Sequence, residues 1–132
     1  MQTATDFINT LEAGSKATVV ALQGELGAGK TTWAQGVGKL LGVTENMHSP
    51  TFVIMKVYEI DFKGFKNLIH IDAYRLEKDE ELLHLGWEEM LQGGENLILI
   101  EWPENVAKLI PREAKRIAFK HVGENEREII YG

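Results

Sequence analysis

The sequence has no cysteine and no long apolar run, and each absence excludes a class of protein. Without cysteine among its 132 residues, the chain has neither disulfides nor thiolate metal sites, which is usual in a reducing compartment. No apolar run approaches the roughly 18 residues that span a bilayer. The N-terminus also lacks the basic start and the apolar block of a signal peptide. We therefore expect a cytoplasmic protein that does not act at a membrane.

Basic charge is scarce, because the sequence has 14 lysines and arginines but 20 acidic residues, which gives a net charge of −6. Residues 1–76 carry 7 acids and 7 bases, residues 77–104 carry 9 and 1, and residues 105–132 carry 4 and 6. A protein that binds nucleic acid by itself normally has a basic face, since phosphate neutralisation supplies much of its affinity. The totals argue against tight binding of DNA or RNA by this chain alone.

The composition is otherwise that of a globular protein, with 44% hydrophobic and 26% charged residues. A chain of this length can bury one sizeable core but not two. We therefore expect residues 1–132 to form a single domain.

A glycine-rich stretch, "GELGAGKTT", follows the apolar run "TVVAL". Gly24, Gly29, Lys30 and Thr31 fit the pattern G-x-x-x-x-G-K-[ST] between a predicted strand (17–23) and a predicted helix (30–42). Glycines let backbone N–H groups approach phosphate oxygens, and the start of the helix adds further N–H groups and a positive dipole end. The alternative is a glycine-rich turn that binds nothing.

The side chains of the same stretch have separate predicted roles at a nucleoside triphosphate. Lysine supplies a positive charge to the β and γ phosphates, and the threonine hydroxyl is placed to bind Mg²⁺. The remaining loop positions are expected to offer backbone contacts. The residues predicted to surround the phosphates are Glu25, Leu26, Gly27, Ala28, Gly29, Lys30, Thr31 and Thr32.

Two apolar runs deliver a carboxylate at their ends, since "LIHID" ends at Asp72 and "LILIE" ends at Glu101. Ligands of open α/β sheets bind outside the carboxyl ends of the strands, so both acids are predicted at one site, where they organise Mg²⁺ or the attacking water. For either acid the alternative is a cap on a neighbouring helix. Thr51 in "SPTF" is a third candidate, which either reaches metal or γ-phosphate or only starts a strand.

Other polar and aromatic residues near these runs have a structural and a functional interpretation. His70 alternates with Asp72 and is predicted to be buried and hydrogen-bonded rather than catalytic. Arg75 either offsets phosphate charge or forms a surface ion pair. Trp102 is either a core residue or a contact for a base or a partner. The acidic run at residues 77–81 predicts a solvated face. A basic cluster predicts a solvated strand edge; it consists of Arg112, Lys115, Arg116 and Lys120. The alternative for either group of charges is a surface that docks a protein.

The remaining sequence predicts alternating helices and strands. Residues 7–11 predict a short amphipathic helix capped by Thr5 or Asp6. Residues 51–72 predict two antiparallel strands joined at "KGFKN", and residues 77–91 predict two short helices separated at Gly86. The tail predicts a closing pair of strands with Gly123 at the turn. These elements favour an α/β fold.

Four motifs in a fixed order resemble one known family. "GELGAGKTT", "SPTF", "HIDAYRL" and "LIEWPE" are similar to the bacterial tRNA threonylcarbamoyladenosine biosynthesis proteins TsaE, also called YjeE, from about residue 17 to about residue 111. The resemblance implies a three-layer P-loop NTPase-like domain with a mixed central sheet flanked by helices. It also implies a weak Mg²⁺-dependent ATPase that acts with the proteins TsaD and TsaB and meets tRNA through that complex.

The resemblance also implies roles for individual residues. Lys30 and its loop match the positions that hold the ATP phosphates, and Thr31 and Glu101 match the Mg²⁺ positions. Thr51 and Asp72 match polar active-site positions, and Trp102 matches a tryptophan beside the acid. Glu25 stands where aspartate is common in the family, at a loop position expected to face solvent. The tail beyond about residue 112 carries no matching motif.

Three other functions fit parts of the sequence. A small-molecule kinase would need an acceptor pocket and usually an arginine-bearing lid, for which no long insertion exists. A GTPase switch would use D-x-x-G, which "DFKG" at residues 61–64 matches, but this falls in a predicted hairpin turn and N-K-x-D is absent. A binding module in which nucleotide only fixes the shape remains open beside a slow ATPase.

Overall fold

The structure, a computed structural model, describes residues 3–25, 29–44, 54–122 and 127–132. Its strands are β1 (Thr18–Gly24), β2 (Met55–Phe62), β3 (Phe65–Asp72), β4 (Asn96–Glu101), β5 (Lys115–His121) and β6 (Arg127–Tyr131). Its helices are α1 (Ala4–Asn9), α2 (Lys30–Leu40), α3 (Asp79–Leu83), α4 (Trp87–Gln92) and a 3₁₀ helix (Pro103–Leu109).

The described strands form one mixed sheet in the order β2-β3-β4-β1-β5-β6. The four central strands run parallel, while β2 and β6 pair antiparallel at the two edges. The register aligns Glu101 of β4 with Asp72 of β3 and with Leu22 of β1. The carboxyl ends of β1, β3 and β4 therefore meet at one edge of the sheet, as ligand sites of such sheets require.

Helices cover both faces of the sheet, so the predicted three-layer arrangement is confirmed. Val20 and Leu22 of β1 pack with Trp33 and Val37 of α2 on one face. The alternate residues of the same strands pack on the other face beneath α3, α4 and the 3₁₀ helix, where Trp87 is fully buried. Strands covered on both sides have to be apolar at consecutive positions, which explains the runs "TVVAL" and "LILI".

The start of the first helix differs from the sequence prediction. The Thr3 side chain accepts a hydrogen bond from the Asp6 backbone N–H at 3.1 Å, and the Asp6 carboxylate accepts one from the Thr3 N–H at 3.3 Å. This reciprocal pair is a capping box, in which the cap lies three residues before the acid. The prediction of Thr5 or Asp6 as the cap was wrong, because Asp6 serves as the acid of the box.

Several other predictions on the remaining chain are confirmed. Strands β2 and β3 form the predicted hairpin, with Lys63 and Gly64 at its turn, so "DFKG" lies in that hairpin. Gly86 separates α3 from α4 with a left-handed φ of 92°. Strands β5 and β6 form the predicted closing pair, while Gly123 lies outside the described residues.

The basic cluster is solvent-exposed, as predicted, but its predicted place at a strand edge was wrong. Strand β5, which carries Lys115, Arg116 and Lys120, lies between β1 and β6, because β6 adds one more strand to the sheet. Within the described ranges, no helix has both the length and the apolar character needed to cross a membrane.

Candidate nucleotide-binding site

The predicted loop begins where β1 ends and closes where α2 begins. A Cβ added at Gly24 would lie 2.6 Å from the backbone oxygen of Phe119 on β5, so this position requires glycine. Gly29 precedes α2 with a left-handed φ of 100°, a conformation that glycine adopts without steric cost. Glu25 and Thr32 are exposed, whereas Leu26, Gly27 and Ala28 lie outside the described residues. The backbone geometry therefore explains the glycine at each end of the loop.

Lys30 lies at the start of α2, and its side chain turns back towards the end of β1. Its Nζ donates a hydrogen bond to the Gly24 backbone oxygen at 2.6 Å and lies 3.5 Å from the centre of the Trp102 ring. Burial lowers the pKa of Lys30 from its usual value, although the carboxylates of Glu101, Glu104 and Asp72 act to raise it. The ammonium is thus held at the carboxyl edge of the sheet, among acids and one aromatic face.

Thr31 and Glu101 meet across the site although 70 residues separate them in the sequence. The Thr31 hydroxyl donates to the Glu101 carboxylate, with distances of 3.0 Å to Oε1 and 3.2 Å to Oε2. The contact forms because Glu101 ends the strand next to β1, and β1 leads into α2. Two residues predicted independently as Mg²⁺ ligands therefore lie within hydrogen-bonding distance of each other.

His70 lies behind the carboxylate of Glu101. Its Nε2 is 2.6 Å from Glu101 Oε2, and the ring is fully buried while Glu101 is 3% exposed. His70 and Glu101 lie on neighbouring strands and on the α2 side of the sheet, and His70 pairs with Leu99, two residues before Glu101. The prediction of a buried, hydrogen-bonded histidine is confirmed. Its partner was not predicted, because strand register cannot be read from one sequence.

Asp72 lies beside Glu101 in the register and starts the turn that leaves β3. Its carboxylate accepts a hydrogen bond from the Tyr74 backbone N–H at 3.0 Å. Asn105 braces the same turn from the 3₁₀ helix, since its Nδ2 donates to the backbone oxygens of Ala73 at 2.9 Å and Tyr74 at 3.2 Å. Asn105 is not among the predicted site residues, because its partners Ala73 and Tyr74 are distant from it in the sequence.

Trp102 has a backbone conformation that is rare for a residue with a side chain, with φ 59° and ψ 49°. Its half-buried ring packs against Tyr74, with ring centres 5.0 Å apart, and also lies under the Lys30 ammonium. Such strained residues cluster at functional sites. Trp102 is thus neither a fully buried core residue nor a free aromatic, but one wall of the site.

Two other predicted candidates do not join this arrangement in the described structure. Thr51 lies outside the described residues, so its role stays a prediction. Arg75 is exposed. The described ranges also contain no cluster of three or more acidic or histidine side chains that could hold a metal ion.

The oxygen donors at the site fit Mg²⁺ nevertheless. Mg²⁺ prefers oxygen ligands and is usually bound by one or two carboxylates together with water and substrate phosphates, rather than by an all-protein cage. The Thr31 hydroxyl and the Glu101 carboxylate are such donors, and they converge within 3.0 Å. The chain is a P-loop NTPase-like α/β protein. Its defining features are the parallel central strands, the glycine loop between β1 and α2, and the acids at the strand ends.

Comparison with known proteins identifies the family. The family model described as "Threonylcarbamoyl adenosine biosynthesis protein TsaE" matches residues 1–129. A Bacillus subtilis TsaE is 40% identical over 86% of this chain and 68% of its own length. A Treponema pallidum TsaE is 39% identical over 90% of this chain and 82% of its own length.

A solved structure agrees with this assignment. The crystal structure of Bacillus subtilis YdiB superposes with a TM-score of 0.68 at 34% identity, over 90% of this chain and 70% of the other. The chain belongs to the TsaE family.

Proposed function

We propose that this chain binds ATP together with Mg²⁺ and hydrolyses it weakly, as an accessory subunit for threonylcarbamoyladenosine modification of tRNA. The names of the family and of its relatives support the pathway. The observation that carries the nucleotide chemistry is the contact of Thr31 with Glu101, because it joins the phosphate loop to a strand-end acid. The protein acts as one P-loop domain in the cytoplasm.

The phosphates are proposed to lie against the start of α2. That helix presents unpaired backbone N–H groups and its positive end, and glycine at position 29 allows the chain to approach closely. Lys30 supplies a mobile positive charge within reach, because its Nζ already lies at the end of β1. Residues 25–32 together form this proposed phosphate site.

Thr31 and Glu101 are the residues proposed to hold the metal ion. When bound, Mg²⁺ neutralises charge on the phosphates. Asp72 and Thr51 are proposed to position the attacking water, and Asp72 has the better support because it neighbours Glu101 in the register.

Weak activity of the isolated chain is expected from the distribution of its arginines. Phosphoryl-transfer enzymes often use an arginine to stabilise the transition state, and a partner protein can supply it. Each arginine whose side chain the structure describes is exposed; these are Arg75, Arg112 and Arg116. We therefore propose TsaB and TsaD as the partners that raise the rate, with tRNA reached through their complex.

Substitution of the strand-end acid tests the nucleotide site. Glu101→Gln keeps the side-chain size but removes the charge, so the ATP-induced rise in melting temperature should require more Mg²⁺. The control is Glu95→Gln, an exposed acid just before the opposite end of the same strand. Equal Mg²⁺ dependence in the two variants would contradict the proposed metal ligand.

The rate of phosphate release tests the role of the partners. Release should be slow with this chain alone and faster once TsaB and TsaD are added. Equal rates would count against activation by partners, and binding without any hydrolysis would favour the nucleotide-fixed binding module.

A further inference from the structure

The structure assigns to His70 the task of orienting Glu101 for the metal ion, which makes it a positioning residue. This inference rests on the proposed Mg²⁺–ATP site and adds a residue that neither the phosphate-loop pattern nor the strand-end acids include. Its basis is a chain of contacts from β3 through β4 to α2: His70 to Glu101 to Thr31.

The geometry gives each partner a different oxygen of the carboxylate. His70 Nε2 is 2.6 Å from Oε2, and the closer contact of the Thr31 hydroxyl, at 3.0 Å, is with Oε1. A carboxylate that binds a metal ion only accepts hydrogen bonds, so the assignment requires the hydrogen on Nε2. Hydrogen bonds to a charged acceptor are shorter and stronger than neutral ones, which agrees with the 2.6 Å distance.

The imidazole is a rigid support for the Glu101 carboxylate, because its surroundings restrict its movement. Its ring is fully buried, and it lies on an inner strand that pairs with β2 on one side and β4 on the other. Glu101, in contrast, is the last residue of its strand, where a side chain can turn towards the open edge of the sheet. The bond from His70 fixes the carboxylate towards Thr31.

The other ring nitrogen shows that burial alone does not explain this histidine. His70 Nδ1 is buried without a hydrogen-bond partner among the described residues, which is an energetic cost. An apolar residue at this position would avoid that cost, as Leu68 does two residues earlier on the same strand and face. Within the described part of the chain, the one hydrogen bond that the His70 side chain makes is the bond to Glu101.

The test compares Mg²⁺ dependence in three variants at one fixed pH. His70→Leu removes the donor, His70→Gln keeps an N–H donor near the position of Nε2, and Leu68→Ala disrupts the same strand without touching Glu101. The readout is the Mg²⁺ concentration at half of the melting-temperature shift caused by saturating ATP. Loss of a residue that orients a metal ligand typically weakens metal affinity about ten- to a hundred-fold.

We expect that increase for His70→Leu, a midpoint nearer wild type for His70→Gln, and a wild-type midpoint for Leu68→Ala despite its lower stability. If His70→Leu instead keeps the midpoint of Leu68→Ala, the assignment is overturned and His70 is only a packing residue. If the wild-type protein shows no shift with Mg²⁺ and ATP, the proposed function falls and this inference with it.

A measurement on the unsubstituted protein without metal covers the case in which His70→Leu does not fold. Long-range ¹H–¹⁵N spectra report which ring nitrogen carries the hydrogen. We expect hydrogen on Nε2 of His70. Hydrogen on Nδ1 alone would remove the bond to Glu101 and overturn the assignment.

Discussion

The two faces of the sheet bury different kinds of side chain. Beneath α3, α4 and the 3₁₀ helix, the buried side chains of the described structure are all apolar. On the α2 side, the apolar core gives way near the carboxyl edge to a polar corner, which consists of Lys30, His70 and Glu101, each at most 4% exposed. Both faces are built by the same strands, since alternate residues point to opposite sides.

This contrast suggests that different residues determine the stability of the fold and the chemistry of the site. Apolar burial stabilises a fold in proportion to the area removed from water, whereas a buried polar group is costly unless it is hydrogen-bonded. Each residue of the polar corner has such a bond: Lys30 to Gly24, His70 to Glu101, and Glu101 to Thr31. The apolar face should therefore govern folding, while the polar corner should govern ligand binding.

The largest expected effect is on the apolar face. Trp87→Ala removes a fully buried ring and its hydrogen bond to the Leu109 backbone oxygen, and it should lower the free energy of unfolding by about 3–5 kcal/mol. Urea unfolding measures this loss. ATP affinity of the folded fraction should stay at the wild-type value at low temperature, and a parallel loss of affinity would break the separation of the two faces.

The next effect lies in the polar corner and concerns binding. Lys30→Ala should weaken ATP binding by about 1.5–3 kcal/mol, the usual worth of a hydrogen bond to a charged group, which is roughly ten- to a hundred-fold. Titration calorimetry measures it. The matched control is Lys39→Ala in the last turn of the same helix, where the side chain is exposed. Unchanged affinity in Lys30→Ala would remove this lysine from the site.

A smaller effect is expected where the two regions meet. Asn105 joins the 3₁₀ helix to the turn after Asp72, so Asn105→Ala should cost about 0.5–1.5 kcal/mol of unfolding free energy. Lys108→Ala, an exposed change on the same helix, serves as the control. Chemical denaturation of both variants measures the difference, and equal midpoints would show that the turn holds without this brace.

The smallest effect is a dependence of stability on pH. Because burial lowers the pKa of Lys30 in the folded protein, the unfolded chain holds this proton up to a higher pH than the folded protein does. The cost of the buried charge is therefore fully present below the lowered pKa and disappears as the pH rises towards 10.5.

The melting temperature of wild type minus that of Lys30→Met should thus rise with pH across that interval. Subtraction cancels groups common to both proteins. A difference that falls with pH would mean that the attraction of the neighbouring carboxylates exceeds the effect of burial.

Several features could be predicted because their causes are local. The glycine loop is recognisable because the backbone requires glycine at positions 24 and 29, and both positions belong to one strand–loop–helix unit. The cap of α1 was also within reach, because "TATD" at residues 3–6 carries the spacing of a capping box, and it was misassigned to later residues. The position of the basic cluster was missed for another reason, since strand order is not contained in a local pattern.

By itself, the sequence determined the elements, the phosphate loop and the strand-end acids, because periodicity, turn chemistry and motif spacing act over a few residues. Only the tertiary structure decided that Thr31, His70 and Glu101 form one chain of contacts and that Lys30 lies against Trp102. These pairs are far apart along the chain, and their distances depend on the order and register of parallel strands. That order is fixed by the packing of the whole sheet between its two helical layers.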